Sequence, residues 1–169
     1  MNCARRIDDY QILLLDRFVD GVRRRWPKAI IQWEDFKGPN ALRILAHFRQ
    51  HVPSFNDDVQ GTAAVTVAGI YAAARKLERK VTDLRYVLAG AGAAGMACLN
   101  LLVKLGMQRE NILVCDRKGV IHSGLEEDMN DEKARYAADT DKRTLAEAMV
   151  GSDVFLGVSV GGVVSREMV

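Results

Sequence analysis

Apolar and polar positions along the 169 residues alternate between helical and strand-like runs. Ile7, Tyr10, Leu14, Leu15, Phe18, Val22 and Trp26 recur at helical spacing until Pro27 stops the pattern, which predicts a first helix. Ala29 to Trp33 reads as a strand. A helix capped by Asn40 follows the turn at Gly38-Pro39 and should bury Ala41, Leu42, Leu45, Phe48 and Val52. Pro53 to Asn56 is a short extended piece. From Ala63 to about Lys80 runs an apolar helix with no charge before Arg75, which predicts burial of its first three turns.

Leu84 to Ala89 is a second strand-type run, Met96 to Leu105 a helix ended by Gly106, and Asn111 to Cys115 a further strand. Beyond Asp116 come a turn at Arg117-Lys118-Gly119, a short extended piece at Val120 to His122, and an exposed helix over Asp131 to Ala138. Thr144 to Val150 reads as a short helix with Thr144 and Glu147 in capping-box positions. Val154 to Ser159 reads as a buried parallel strand, and Ser165 begins a helix. Strands and helices in this alternation predict an α/β fold: a Rossmann-type, doubly wound, mainly parallel sheet with helices on both faces.

Between the strand ending at Ala89 and the helix from Met96 lies Gly90-Ala91-Gly92-Ala93-Ala94-Gly95, a GxGxxG sequence. A lone match of this kind is weak, because glycine clusters also mark ordinary turns. Here a strand precedes it, an apolar helix follows, and Asp116 ends the next strand, which is the order of a dinucleotide-binding βαβ unit. Gly90 would permit the tight turn, Gly92 would leave room for a pyrophosphate, and Gly95 would let helix and strand pack closely. The helix N-terminus would hold the phosphates. Asp116 would accept hydrogen bonds from ribose hydroxyls.

Composition narrows the remaining classes. A net charge of +2 on 24 basic and 22 acidic residues argues against a dedicated nucleic-acid binder. Cys3, Cys98 and Cys115 lack metal-ligand spacing, and Cys98 in a helix and Cys115 at a strand end read as small buried hydrophobes in a reducing compartment. No run approaches the ~20 apolar residues of a membrane span, and the N-terminus lacks a signal-peptide core, so a cytoplasmic protein is expected. His47 and His51 stand four apart without the neighbouring glutamate of a zinc helix and are expected to face solvent. Arg23-Arg24-Arg25 suits the C-terminal end of a helix dipole.

Two acidic pairs carry more chemistry. Glu34-Asp35 follows one short strand and Asp57-Asp58 another, each before a helix. Taken alone, Asp57-Asp58 reads as helix capping. Taken with Glu34-Asp35, the pairs could converge on one hard divalent cation, which takes oxygen ligands.

Gln32-Trp33-Glu34-Asp35-Phe36, Ser54-Phe55-Asn56-Asp57-Asp58-Val59-Gln60-Gly61-Thr62-Ala63 and Gly90 to Gly95, in this order and spacing, resemble the malic enzymes. The second stretch is the more specific, and the likeness runs from about Asp9 to the end of the chain. The resemblance implies oxidative decarboxylation of (S)-malate to pyruvate and carbon dioxide with NAD, or NADP, and Mg²⁺ or Mn²⁺. It implies Glu34, Asp35 and Asp58 as metal ligands and Asp57 as an active-site carboxylate supporting proton transfer. It places Asp58, Gly90, Ala91, Gly92, Ala93, Ala94, Gly95, Asp116 and Ser159 at the cofactor. Asp116 favours NAD over NADP by charge repulsion, an effect that Arg117 and Lys118 beside it oppose.

A homo-oligomer is expected in the full-length enzyme, with malate and pyruvate as small-molecule partners, and charge and hydropathy lead to no expectation of nucleic-acid or membrane partners. Residues 1–80 are then expected to carry the metal-binding region and residues 81–169 the nucleotide-binding domain. The family's tyrosine acid and lysine base are expected to lie in an N-terminal domain without counterpart here, since Tyr10 and Lys28 do not match their motifs. With its last helix begun at Ser165, the chain reads as a central fragment. The alternative is a catalytically incomplete module that binds nucleotide or assembles subunits.

Overall fold

A computed structural model describes residues 9–36 and 38–169, and it divides into two compact units, residues 1–62 and 63–169. Ile7 and Cys3 lie outside the described residues. Among the described residues no helix is long and apolar enough to cross a membrane.

In the first unit, α1 (Asp9–Arg25) turns Ile12 and Val19 inward, with Leu15 and Val22 packed beside them. Tyr10, Leu14, Phe18 and Trp26, part of the expected apolar stripe, are 46–68% exposed. The helix thus carries two apolar stripes, and only one is buried. β1 (Ile31–Trp33) pairs in parallel with β2 (Ser54–Asn56), Trp33 opposite Asn56.

α2 (Pro39–Phe48) starts two residues earlier than a helix capped by Asn40 would. Gly38 is its N-cap, without a side-chain cap bond, and Pro39 opens the first turn. Proline belongs there, because its missing N–H would have no intrahelical partner and its φ is already helical. Asn40, the predicted cap, instead sits buried in that turn. Ile44 takes the fully buried place, while Leu42 is 39% exposed. Trp33 stacks on Phe48 at 4.9 Å between ring centroids, closing this small core.

Residues Asp57–Gly61 form a single π-helical turn that leads into α3 (Thr62–Lys76). α3 ends four residues short of the predicted limit. It buries Ala63, Val67, Ile70 and Ala74, one stripe at helical spacing, whereas Val65 is 70% exposed. Absence of charge therefore overstated its burial: a helix packed on one side needs only that stripe.

The second unit is built on a four-stranded sheet ordered β5-β4-β3-β6, comprising β3 (Tyr86–Ala89), β4 (Ile112–Asp116), β5 (Gly119–Val120) and β6 (Val154–Gly157). β3 pairs in parallel with β4 and β6, and only the short β5 is antiparallel. Alternate residues face opposite sides. Tyr86, Leu88, Ile112 and Val114 join the core with α4 (Ala93–Lys104), through Met96, Leu99 and Leu102. Val87 and Cys115 face Ala148 of α6 (Leu145–Met149). Helices on both faces of a mainly parallel sheet make the Rossmann-type α/β fold that the alternation predicted.

α4 ends as predicted at Gly106, whose φ of 104° allows its N–H to reach Val103 O while the Met107 N–H reaches Leu102 O. Thr144 and Glu147 cap α6 reciprocally. The predicted helix over residues 131–138 shortens to α5 (Asp131–Ala134). Tyr136 lies beyond it, 4% exposed, and its hydroxyl donates to Asn100 Oδ1 at 2.8 Å. β6 is only partly buried at the sheet edge, and the last predicted helix is a 3₁₀ turn, Arg166–Met168. Cys98 and Cys115 are buried and free, as their spacing suggested, and burial pushes the Cys115 thiol up to about 11.

Candidate functional site

Glu34 and Asp35 leave the end of β1, where strand alternation would send them to opposite sides. Asp35 has φ of 58°, a left-handed conformation that aspartate tolerates better than most residues and that breaks the alternation. One carboxylate oxygen each from Glu34, Asp35 and Asp58 then lies within 4.8 Å of the others. Gln32 Nε2 donates to Glu34 Oε2 at 2.7 Å, so one Glu34 oxygen is held in place. Asp57, though adjacent to Asp58, is not in the group. Its carboxylate folds back over Gly61, where a Cβ would collide with Oδ1. His47 is also apart from it, bonded at 2.8 Å to Asp16.

Three oxygens this close suit a hard divalent cation, since Mg²⁺ and Mn²⁺ prefer carboxylate ligands and complete their shells with water or substrate. Among the described residues no cation pairs with Glu34, Asp35 or Asp58.

In the second unit the GxGxxG residues occupy the turn from β3 into α4. Gly90 has φ of 116°, and a Cβ there would meet the backbone of Val158 and the Ser159 side chain. Ser159 is thereby brought beside the first glycine. A Cβ on Gly95 would overlap the Gly90 carbonyl oxygen, so the third glycine is required by packing. Gly92 faces open space as the N-cap of α4, without a side-chain cap bond. The first-turn N–H groups of a twelve-residue helix are thus left to an anion, with no Cβ in its way. Ala91, Ala93 and Ala94 add no polar group to this turn.

Asp116 ends β4 as predicted, but its surroundings differ from expectation. Its Oδ2 accepts from Lys133 Nζ at 2.7 Å and its Oδ1 from the Lys118 N–H at 2.8 Å. Both side chains of the ion pair are nearly buried, 12% and 11% exposed. Burial works to raise the Asp116 carboxyl. The hydrogen bonds from Lys133 and Lys118, with their charges, outweigh it and hold the group below its ordinary value. Each oxygen keeps a second lone pair for a hydroxyl donor. Lys133 escaped the sequence reading, and no local pattern links it to Asp116 across 17 residues.

A parallel sheet with this glycine turn defines a Rossmann-type nucleotide-binding domain, preceded by a small unit that gathers carboxylates. Residues 59–169 match the family model for the NAD-binding domain of malic enzyme, and residues 2–49 that for its N-terminal domain. The chain belongs to the malic enzyme family. The second match corrects the expectation that the N-terminal domain has no counterpart here.

The NADP-dependent malic enzyme of Salmonella typhimurium is 46% identical over 158 residues, covering 91% of this chain and 21% of that protein. The NAD-dependent malic enzyme of Rhizobium meliloti is 40% identical, covering 91% and 20%. The crystal structure of the Entamoeba histolytica malic enzyme superposes with a TM-score of 0.74 at 33% identity, covering 90% of this chain and 34% of that one. The NAD-dependent enzyme of Thermotoga maritima gives 0.76 at 30%, covering 96% and 44%. The chain spans about a fifth of the length of these Salmonella and Rhizobium enzymes.

Proposed function

We propose that this chain carries the metal-binding and cofactor-binding parts of an enzyme that converts (S)-malate to pyruvate and carbon dioxide while reducing NAD or NADP. The observation that carries the reading is the gathering of Glu34, Asp35 and Asp58 within 4.8 Å, in a member of this family. These three residues would hold Mg²⁺ or Mn²⁺. The turn from Gly90 to Gly95, with Asp116 and Ser159, would hold the dinucleotide. Bound there, the cation would supply Lewis-acid polarisation of malate oxygens and the dinucleotide a hydride acceptor.

Asp57, turned away from the three ligands, would hold or pass a proton at its carboxylate. Gly92 and the free end of α4 receive phosphate, and Asp116 orients a ribose. The charge that would reject a 2′-phosphate is partly compensated by Lys133 and Lys118, so the reading includes both cofactors. The exposed stripe of Tyr10, Leu14 and Phe18 on α1 supports assembly with a second copy, which sedimentation tests.

Assay with malate, Mn²⁺ and either cofactor tests the function. Pyruvate and reduced cofactor that disappear on chelation and in Asp58→Asn support it, and formation unaffected by either overturns it. Binding of metal and cofactor without pyruvate identifies the second reading, a holding module whose acid and base come from elsewhere. Positioned acid–base groups contribute about 10²–10⁴-fold each, so the two outcomes differ widely in rate.

A further inference from the structure

The π-helical turn Asp57–Gly61 separates two adjacent carboxylates, sending Asp58 to the acidic group and Asp57 back over Gly61. Asn56 holds this turn from both ends of its own residue. Its Oδ1 accepts from the Val59 N–H at 2.9 Å, and its N–H donates to Gln60 Oε1 at 3.1 Å. The pattern is a capping box with one residue added. In an α-helix the third helical residue both donates its N–H and returns its side chain. In the wider π turn the N–H comes from Val59 and the side chain from Gln60. The widening is seen in the Thr62 N–H, which reaches Asp57 O five residues back.

Asn56 is fully buried, yet its Nδ2 has no partner. An unpaired buried donor is costly, and a serine would supply a cap oxygen without it. Stability alone therefore does not account for asparagine here. The side chain is long and planar and ends β2, directly opposite Trp33, the residue before Glu34.

We propose that Asn56, with Gln60, is the positioning residue of the acidic group, setting the π turn that aims Asp58 at Glu34 and Asp35. This rests on the reading of that group as a metal site. Asn56 touches no ligand itself. Its effect runs through the direction of Asp58, in the manner of outer residues that orient metal-binding side chains.

Electron paramagnetic resonance of Mn²⁺, titrated into the wild-type chain and its variants, tests this without turnover. Circular dichroism and the thermal midpoint are recorded on the same samples. Asp58→Asn should weaken Mn²⁺ about 100-fold or more, and Asn56→Ala about 10–100-fold, the range for outer orienting residues. Gln60 is exposed, so Gln60→Ala should keep the wild-type midpoint while binding about threefold or more weaker. Asn56→Ser, which keeps an acceptor for Val59 but lacks the length and plane of the amide, should recover the thermal midpoint more fully than the affinity lost in Asn56→Ala.

A folded Asn56→Ala with affinity within about threefold of wild type, beside a deficient Asp58→Asn, overturns the positioning role and leaves the metal site standing. Unchanged binding in Asp58→Asn brings down the metal reading and this proposal with it. If Asn56→Ala does not fold, Gln60→Ala decides: weaker binding at an unchanged midpoint supports the proposal, and unchanged binding overturns it.

Discussion

Asp58 in the first unit lies in the turn that follows one short parallel strand and Asp116 in the second ends another, but the chain surrounds them differently. Asp116 is 11% exposed, and its two oxygens receive an ammonium and a backbone N–H from its own unit. Asp58 is half-buried, and the oxygens gathered near it belong to Glu34 and Asp35. Like charges at such distances repel by about 1 kcal/mol per pair even at the dielectric constant of water. One carboxylate has its counter-charge built into the fold, and the other stands in a group whose counter-charge, on the reading proposed above, arrives with a ligand. A site that must bind reversibly cannot be satisfied in advance by the protein.

The strongest way to break this contrast is to remove charge from the open group. Asp35→Asn or Glu34→Gln should weaken Mn²⁺ by about 100-fold, since each deletes an anionic oxygen from a hard cation's shell. Calorimetric titration reads the loss, and an unchanged affinity would remove any difference between the two carboxylate environments. Mn²⁺ should also raise the melting temperature of the wild-type chain, because a ligand of the native state stabilises it by mass action.

Next in size is the closed pair. Lys133→Ala leaves Asp116 nearly buried without its ammonium and should cost about 3 kcal/mol in urea unfolding, the lower end of the range for broken buried pairs. A loss below about 0.5 kcal/mol, the scale of an exposed pair, would show that the pair is no more protected than the acidic group.

The pH dependence sharpens the same point. The Asp116 carboxyl is held below its ordinary 3.8 in the native state. Its contribution is therefore present above that value and is lost as pH falls through the lower native one. Unfolding at a series of acid pH values should show Asp116→Asn losing stability less steeply than wild type below about pH 4.

The smallest effect concerns the cofactor. Asp116→Ser removes the negative charge proposed to face the ribose and frees Lys133, so the ratio of NADP to NAD affinity should rise several-fold, within about 1 kcal/mol. A ratio that stays constant in cofactor titrations would mean that Asp116 does not face the ribose.

Sequence alone determined the features whose physics is local. The glycine turn, the Gly106 helix stop and the Thr144–Glu147 cap each depend on backbone geometry and hydrogen bonds spanning a few residues, and a few residues suffice to specify them. Tertiary structure decided what depends on residues far apart. It selected Ile12 and Val19 over Tyr10, Leu14 and Phe18 as the buried stripe of α1. It buried Tyr136 against Asn100 across 36 residues and paired Lys133 with Asp116 across 17. It also brought Glu34 and Asp35 to Asp58 and folded Asp57 away. Periodicity says that a helix has an apolar face and composition says that a charge exists. Only packing, which weighs every surface against every other, settles which face is covered and which charge is answered.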